Sequence, residues 1–115
     1  MAQITKKEKR HNFVSPFSER VYHIIKKVPR GKVTTYKAIA EALGTKAYRA
    51  VGNALNRNPN APEVPCHRVV CSDGSIGGYS EGVNEKIKLL QKENVLVKAG
   101  LVVDFGRKLT TFAKK

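Results

Sequence analysis

Pro65-Cys66-His67-Arg68 is the stretch of this chain where reactive side chains lie closest together. A thiol is a nucleophile only as thiolate, and an ordinary one, with a pKa of about 8.5, is a few per cent ionised at neutral pH. His67 and Arg68 supply the two kinds of group that favour ionisation, a base and a fixed positive charge. Successive side chains of an extended segment point to opposite faces. His67 therefore serves the sulfur only if the backbone turns sharply after Pro65 or a water carries the proton. A histidine used this way needs an orienting partner on its far nitrogen, ideally a carboxylate. Glu93 is the candidate, because it lies near the C-terminal end of a predicted helix, where the dipole disfavours negative charge. The plainer alternative for Cys66 is an inert buried thiol. For Cys71, with no histidine beside it, that alternative is preferred.

The cysteines and histidines lack the repeated C-x2-C or H-x3-H spacing of zinc sites, so neither metal nor cofactor is expected. "MAQITKKEKRHN" has no apolar core of an export signal, and no apolar run approaches the ~18 residues of a membrane span. Free thiols are then expected, in an intracellular protein of the cytoplasm and nucleoid, or of a nucleus, with no membrane partner. The chain has 115 residues, enough for one domain with its own core. Its 22 Lys and Arg against 9 Asp and Glu leave a formal charge of +13. Self-repulsion of that size destabilises a small domain and points to a polyanionic partner. Nucleic acid is favoured over a merely lysine-rich solubilised surface or a ribosome-associated protein.

The elements that must position these groups are legible in turn. Residues 1–14 read as a basic, flexible lead-in and 15–115 as the folded domain. Ser15 caps a helix with Pro16 at its first position, and Phe17, Val21, Ile24, Ile25 and Val28 recur at helical spacing. Pro29 to Lys32 form a turn. Thr34 or Thr35 caps a second helix, with Tyr36, Ile39, Ala40 and Leu43 along one stripe and Gly44 at its end. A third follows closely, with Ala47, Val51, Ala54 and Leu55 inward. Its other face carries Arg49, Gly52, Asn53 and Asn56, a cation, amides and a glycine with no acid. Such a face suits close approach to phosphate and base edges, and the pair resembles a helix-turn-helix. An alanine-rich packing helix with a solvated back is the competing reading. "VPCHRVV" is expected to be extended, "SDGSIGGYSEG" a turn and glycine-rich loop, and "NEKIKLLQKEN" a last helix with Ile87 and Leu90 inward. "LVVDFGRKLTTF" reads as two short strands around Phe105-Gly106.

The ordered set "TTY", "RAVGNAL", "NP", "PCHRVV" and "GGYS" closely resembles the O6-alkylguanine-DNA alkyltransferases, also called methylated-DNA–protein-cysteine methyltransferases. The likeness runs from about Phe17 to Glu93, that family's C-terminal catalytic domain. It implies that Cys66 accepts the alkyl group permanently, that His67 deprotonates it through a water, and that Glu93 holds His67. Asn58 would brace the active-site turn. Arg49 would enter the duplex where the damaged base leaves, and Tyr36 would help rotate the nucleotide and donate a proton to the guanine. Thr35, Gly52, Asn53 and Arg68 would join the DNA contacts. Gly77, Gly78, Tyr79 and Ser80, with Leu55 and Val69, would line the substrate pocket. The implied partner is double-stranded DNA carrying O6-alkylguanine, met in the minor groove by a monomer. Base extrusion and a single, stoichiometric turnover follow.

The resemblance and the residue pattern imply one fold. It is mainly α, a winged-helix-like three-helix core with a small β wing, an active-site loop and a C-terminal helix. Strand is expected only near Val33, Val69 and the tail. Many members of the family carry a further N-terminal domain; with about fifteen residues ahead of the first helix, that domain and any zinc site in it are expected to be absent. This chain resembles in that respect the short alkyltransferase-like proteins, lesion sensors that bind without repair. Those typically replace the cysteine of PCHR, whereas Cys66 is retained here, so the enzyme reading prevails over the sensor. A winged-helix transcription factor with a structural PCHR is a third, weaker reading; a preference for alkylated over plain duplex separates it from the other two.

Overall fold

Ser15 opens the first helix as its side chain dictates: its Oγ accepts from the Ser18 N–H at 3.0 Å, and Pro16 occupies a first-turn position whose N–H would have been orphaned. The computed structural model describes residues 15–60, 63–79 and 81–112. The basic lead-in and Ser80 lie outside the described residues.

The fold is mainly helical with small sheets. Helix α1 spans Pro16–Ile25. After the Pro29–Lys32 turn, the two-residue strand β1 (Thr34–Thr35) leads into α2 (Tyr36–Ala42), with Thr35 as the cap and Gly44, at φ +73°, just beyond the end. Helix α3 is Tyr48–Asn56. Helix α1 packs on both α2 and α3, and the Tyr22 hydroxyl donates to the Ala54 carbonyl at 2.6 Å, tying α1 to α3. Val21, Ile25, Ile39, Ala40, Val51, Ala54 and Leu55 form the core between the three helices. Phe17, Ile24, Tyr36 and Leu43 pack at its edge. Ala47, expected inward, is exposed, because the helix begins after it.

Residues 64–70 differ from the extended segment expected. Cys66–Arg68 is one turn of 3-10 helix, followed by strand β2 (Val69–Val70). Strand β2 pairs in parallel with β1, Thr34 opposite Val69 and Thr35 opposite Val70. That partner is two residues long, so the preceding backbone satisfies itself locally: Cys66 N–H donates to Val64 O and Arg68 N–H to Pro65 O. Pro65 has no N–H to give a ladder, which favours the same outcome.

Helix α4 (Val83–Lys92) ends in a left-handed cap. Asn94 has φ 66°, its N–H bonds Gln91 O, and the Val95 N–H reaches back to Leu90 O at 2.9 Å. Val95 and Leu90 are both fully buried in the same apolar cluster, the contact that accompanies this kind of ending. The consequence is that Glu93, at the last cap position, is fixed in place.

The tail corrects a second expectation. Its hairpin is β3 (Val97–Lys98) with β4 (Leu101–Val102), turning at Ala99 and Gly100, both with positive φ. Phe105–Lys108 is a helical turn, α5, where a strand was expected. Tight two-residue hairpins need positive φ at both centres, which alanine does not advertise. Phe105 instead packs over Gly74, where an added Cβ would stand 3.2 Å from its ring.

Candidate active site

The turn after Pro65 changes the geometry of Cys66 and His67. Consecutive side chains on a 3-10 turn splay by about a third of a circle, where a strand would set them opposed. Both are consequently buried, at 4% and 1% exposure. Asn58 braces the turn from the end of α3: its Nδ2 donates to Val64 O at 2.7 Å and approaches Cys66 Sγ at 3.3 Å, while its Oδ1 accepts from Asn60 N.

His67 Nε2 lies 3.0 Å from Glu93 Oε2. A carboxylate only accepts, so Nε2 carries the hydrogen and Nδ1 is left as the basic nitrogen. Nδ1 is buried and has no hydrogen-bond partner among the described residues. Arg68, expected to contact DNA, faces inward. Its Nε and Nη2 grip the Glu93 carboxylate at 2.9 and 2.8 Å, and Nη1 donates to Val28 O at 2.8 Å. Burial would raise Glu93, but the bonds from Arg68 and His67 outweigh it and hold the carboxyl below its usual range. Burial lowers His67, with the Arg68 and Lys86 cations acting the same way and Glu93 opposing them. Burial pushes the Cys66 thiol up, against the Asn58 hydrogen bond, the Lys86 charge and Tyr79. At neutral pH the resting pair is therefore a neutral thiol and a neutral imidazole, not the pre-ionised thiolate that neighbouring cations suggested.

Lys86 was not picked out by the reading of the sequence. It is the largest fully buried side chain, with Nζ donating to the carbonyls of Val69, Ile76 and Gly78. Burial lowers its pKa to about 8 despite the nearby sulfurs of Cys71 and Cys66. The signal was available: Lys86 lies one helical turn before the buried Leu90, on the same face. Its ammonium clamps the glycine-rich loop onto β2.

In that loop Gly77 has φ +68°, and a Cβ there would meet Cys71 Sγ at 3.2 Å and the Tyr36 hydroxyl at 3.5 Å. Glycine is required on both counts. Gly78 contributes its carbonyl to Lys86 and is exposed. Tyr79 packs on the core that contains Cys66, and burial, followed by the charge of a Cys66 thiolate, pushes its phenol up to about 12. Half-buried Tyr36 is likewise raised, by burial and then by Cys71 and Cys66. Two tyrosyl hydroxyls that stay protonated thus stand about the sulfur.

Arg49, Asn53 and Asn56 project from the exposed face of α3, and a Cβ on Gly52 would meet nothing within 4 Å. Four residues expected at the DNA contacts or the pocket are placed differently. Thr35 has only 6% exposure, and its hydroxyl is engaged in capping α2 by accepting from Ala38 N. Leu55 and Val69 are core residues packed with Cys66, Val69 having no exposed surface, and are not open pocket wall. Arg68 belongs to the Glu93 network. Among the described residues, no group of three or more His, Cys, Asp or Glu is placed to hold a metal ion, and no helix is long and apolar enough to cross a membrane.

Residues 16–95 match the family described as 6-O-methylguanine DNA methyltransferase, DNA binding domain. A methylated-DNA–protein-cysteine methyltransferase of Metallosphaera sedula is 55% identical over 82 residues, 71% of this chain and 51% of that protein. The crystal structure of O6-methylguanine-DNA methyltransferase from Pyrococcus kodakaraensis superposes with a TM-score of 0.67 at 53% identity, over 71% of this chain and 48% of that one. S. pombe Atl1, solved with damaged DNA containing O6-carboxymethylguanine, gives 0.73 at 29% identity, covering 84% of this chain and 95% of Atl1. The chain spans about half the length of the curated relatives it matches. On the match across residues 16–95, which includes the Cys66 turn and Glu93, the chain belongs to the 6-O-methylguanine DNA methyltransferase family.

Proposed function

We propose that this chain repairs DNA directly, taking the alkyl group of O6-alkylguanine in a duplex onto its own Cys66, once per molecule. The observation that carries the reading is the relay: Glu93 holds His67 by Nε2, leaving Nδ1 bare and buried one residue from Cys66. A water between Cys66 and Nδ1 passes the thiol proton to His67. The thiolate attacks the alkyl carbon, an S–C bond forms as the C–O6 bond breaks, and the electron pair stays with the guanine, which takes a proton from Tyr36; the phenolate is reprotonated from solvent as His67 gives up the proton it took from the thiol. No group beside Cys66 can reverse a thioether, so turnover stops at one.

The DNA-facing part of the proposal rests on shape and charge. Helices α2 and α3 act as a helix-turn-helix, the β3–β4 hairpin as its small wing, and residues 15–115 as one catalytic and DNA-binding unit. Helix α3 enters the minor groove, where Gly52 and Asn53 permit close approach, and Arg49 fills the gap left by the extruded base. Tyr36 and Tyr79, with Gly77 and Gly78, bound the extruded base. The +13 charge supplies sequence-independent phosphate binding for a monomer searching any sequence, in the compartment that holds the chromosome.

The test is mass spectrometry of protein incubated with a duplex bearing one O6-methylguanine, with Cys66→Ala as control. The expected result is a gain of about one methylene on the peptide containing Cys66, saturating at one per protein, and none in the variant. An unmodified protein that still prefers this duplex to a plain one would refute transfer.

A further inference from the structure

We propose that Arg68 is a positioning residue of the relay: its guanidinium fork fixes the Glu93 carboxylate so that one oxygen lone pair is presented to His67 Nε2–H, which locks the histidine in the tautomer whose Nδ1 is basic. Its kinetic arm rests on the alkyl-transfer reading; its spectroscopic arm does not.

The geometry is specific. Arg68 Nε bonds Oε1 at 2.9 Å and Nη2 bonds Oε2 at 2.8 Å, the parallel two-bond grip that a planar guanidinium makes on a carboxylate. Oε2 is shared, because His67 Nε2 lies 3.0 Å from the same oxygen. The third arm, Nη1 to Val28 O at 2.8 Å, ties the fork to the chain just beyond α1. Glu93 is anchored independently by the left-handed end of α4. Carboxylate and guanidinium are thus each held from a separate element, and His67 meets a pre-set acceptor.

Charge adds a second consequence. The charged and titratable groups about His67 are Glu93, Arg68, Lys86 and Cys66, the first three all influencing its ring. In this set one carboxylate faces two fixed cations. Burial does most to keep His67 neutral, and Arg68 adds to it while orienting Glu93, so the carboxylate steers His67 without holding it protonated at rest. A neutral His67 can accept the thiol proton; an imidazolium cannot. Lysine in place of Arg68 would keep the charge but could not bridge both oxygens.

Three readouts test this. In the wild-type protein, 15N-detected histidine spectra should show His67 as the Nε2–H tautomer; the Nδ1–H tautomer would overturn the proposal without reference to any variant or reaction. In Arg68→Met the His67 titration should move upward and the acid limb of alkyl transfer should move with it, while an unmoved titration would remove the charge argument. In Arg68→Lys, which retains length and charge, transfer should still fall about tenfold or more, the usual loss when an orienting partner of a histidine is disturbed. Transfer at the wild-type rate in Arg68→Lys would show the fork to be idle. If wild-type protein transfers no alkyl group, the catalytic reading fails while the tautomer and titration still decide the role of Arg68.

Discussion

Lys86→Met is the substitution whose outcome the structure constrains most tightly. Methionine keeps an unbranched side chain of nearly the same length and removes only the ammonium. Two effects oppose each other. The ammonium is disfavoured in the folded protein: a pKa of about 8, lowered from 10.5, corresponds to about 3 kcal/mol at roughly 1.4 kcal/mol per unit. Lys86 has no exposed surface, so solvent screening does not discount that figure. Against this, the Val69, Ile76 and Gly78 carbonyls lose their donor. The buried Val69 and Ile76 carbonyls cost about 2 kcal/mol each when left unpaired, and the Gly78 carbonyl, which water can reach, about 1 kcal/mol, so the loss is about 5 kcal/mol. The net expectation is destabilisation of about 2 kcal/mol, a substantial share of the stability of a small domain.

Urea denaturation at pH 7 measures it. With a slope near 1 kcal/mol per molar for a chain of this size, the midpoint should fall by about 2 M. A midpoint within about 0.5 M of wild type would mean that the loop does not depend on the clamp. The pH dependence gives an independent check with a definite sign. Below about pH 8 both folded and unfolded chains hold the proton, and the burial penalty is fully present. Between about 8 and 10.5 the unfolded chain holds it and the folded chain has released it. The unfolded state then binds more protons, so wild-type stability rises with pH through that window. The gap between wild type and Lys86→Met should widen there by up to about 3 kcal/mol; a gap flat from pH 7 to 10.5 would refute the assigned desolvation.

Two further tests follow from the site. Because burial raises the Cys66 thiol, labelling by iodoacetamide should be slow at pH 7 and still climbing at pH 9; a plateau reached below pH 8 would reveal a pre-formed thiolate. Arg49 is exposed and has no side-chain hydrogen bond in the described structure, so Arg49→Ala should change stability by no more than about 0.5 kcal/mol. The same variant should lose far more activity on O6-alkylguanine in duplex DNA than on the free base, and equal losses would sink the role given to this arginine.

Local rules made much of the scaffold legible. Ser15 and Thr35 cap the helices they were expected to cap, Gly44 follows the second, and the apolar stripes of α1 to α3 meet in one core. Glu93 was found from a local mismatch, a carboxylate at a helix C-terminus, and the structure supplies the compensation in Arg68 and His67. What escaped depended on partners distant in sequence. The turn at Cys66 follows from how short β1 is; a count of β-branched residues in "VPCHRVV" holds no such information. Arg68 was placed among the DNA contacts on the family resemblance, and nothing within a few residues discloses Glu93 25 positions away. Lys86 was overlooked because polarity was allowed to override the helical period that placed it inward. The tail hairpin turns on an alanine with φ 52°, a conformation that alanine rarely signals.

The directions of the shifts at Cys66, His67, Lys86 and Glu93 combine into one electrostatic scheme. Cys66 is raised and His67 lowered, so both are neutral near pH 7 and the sulfur is poorly nucleophilic at rest. Moving the proton from sulfur to Nδ1 creates a thiolate and an imidazolium in a buried place, which in an apolar cavity would be prohibitive. Here each new charge meets one already fixed: the thiolate faces the influence of Lys86, and the imidazolium sits on Glu93. Neither group has to reorganise when the charges appear, the condition under which buried dipoles and ions lower a barrier most. A thiol that ionises only as its proton leaves through His67 is protected in the resting protein. A permanently ionised cysteine would react with any small electrophile, whereas a buried, neutral thiol reacts with one only slowly.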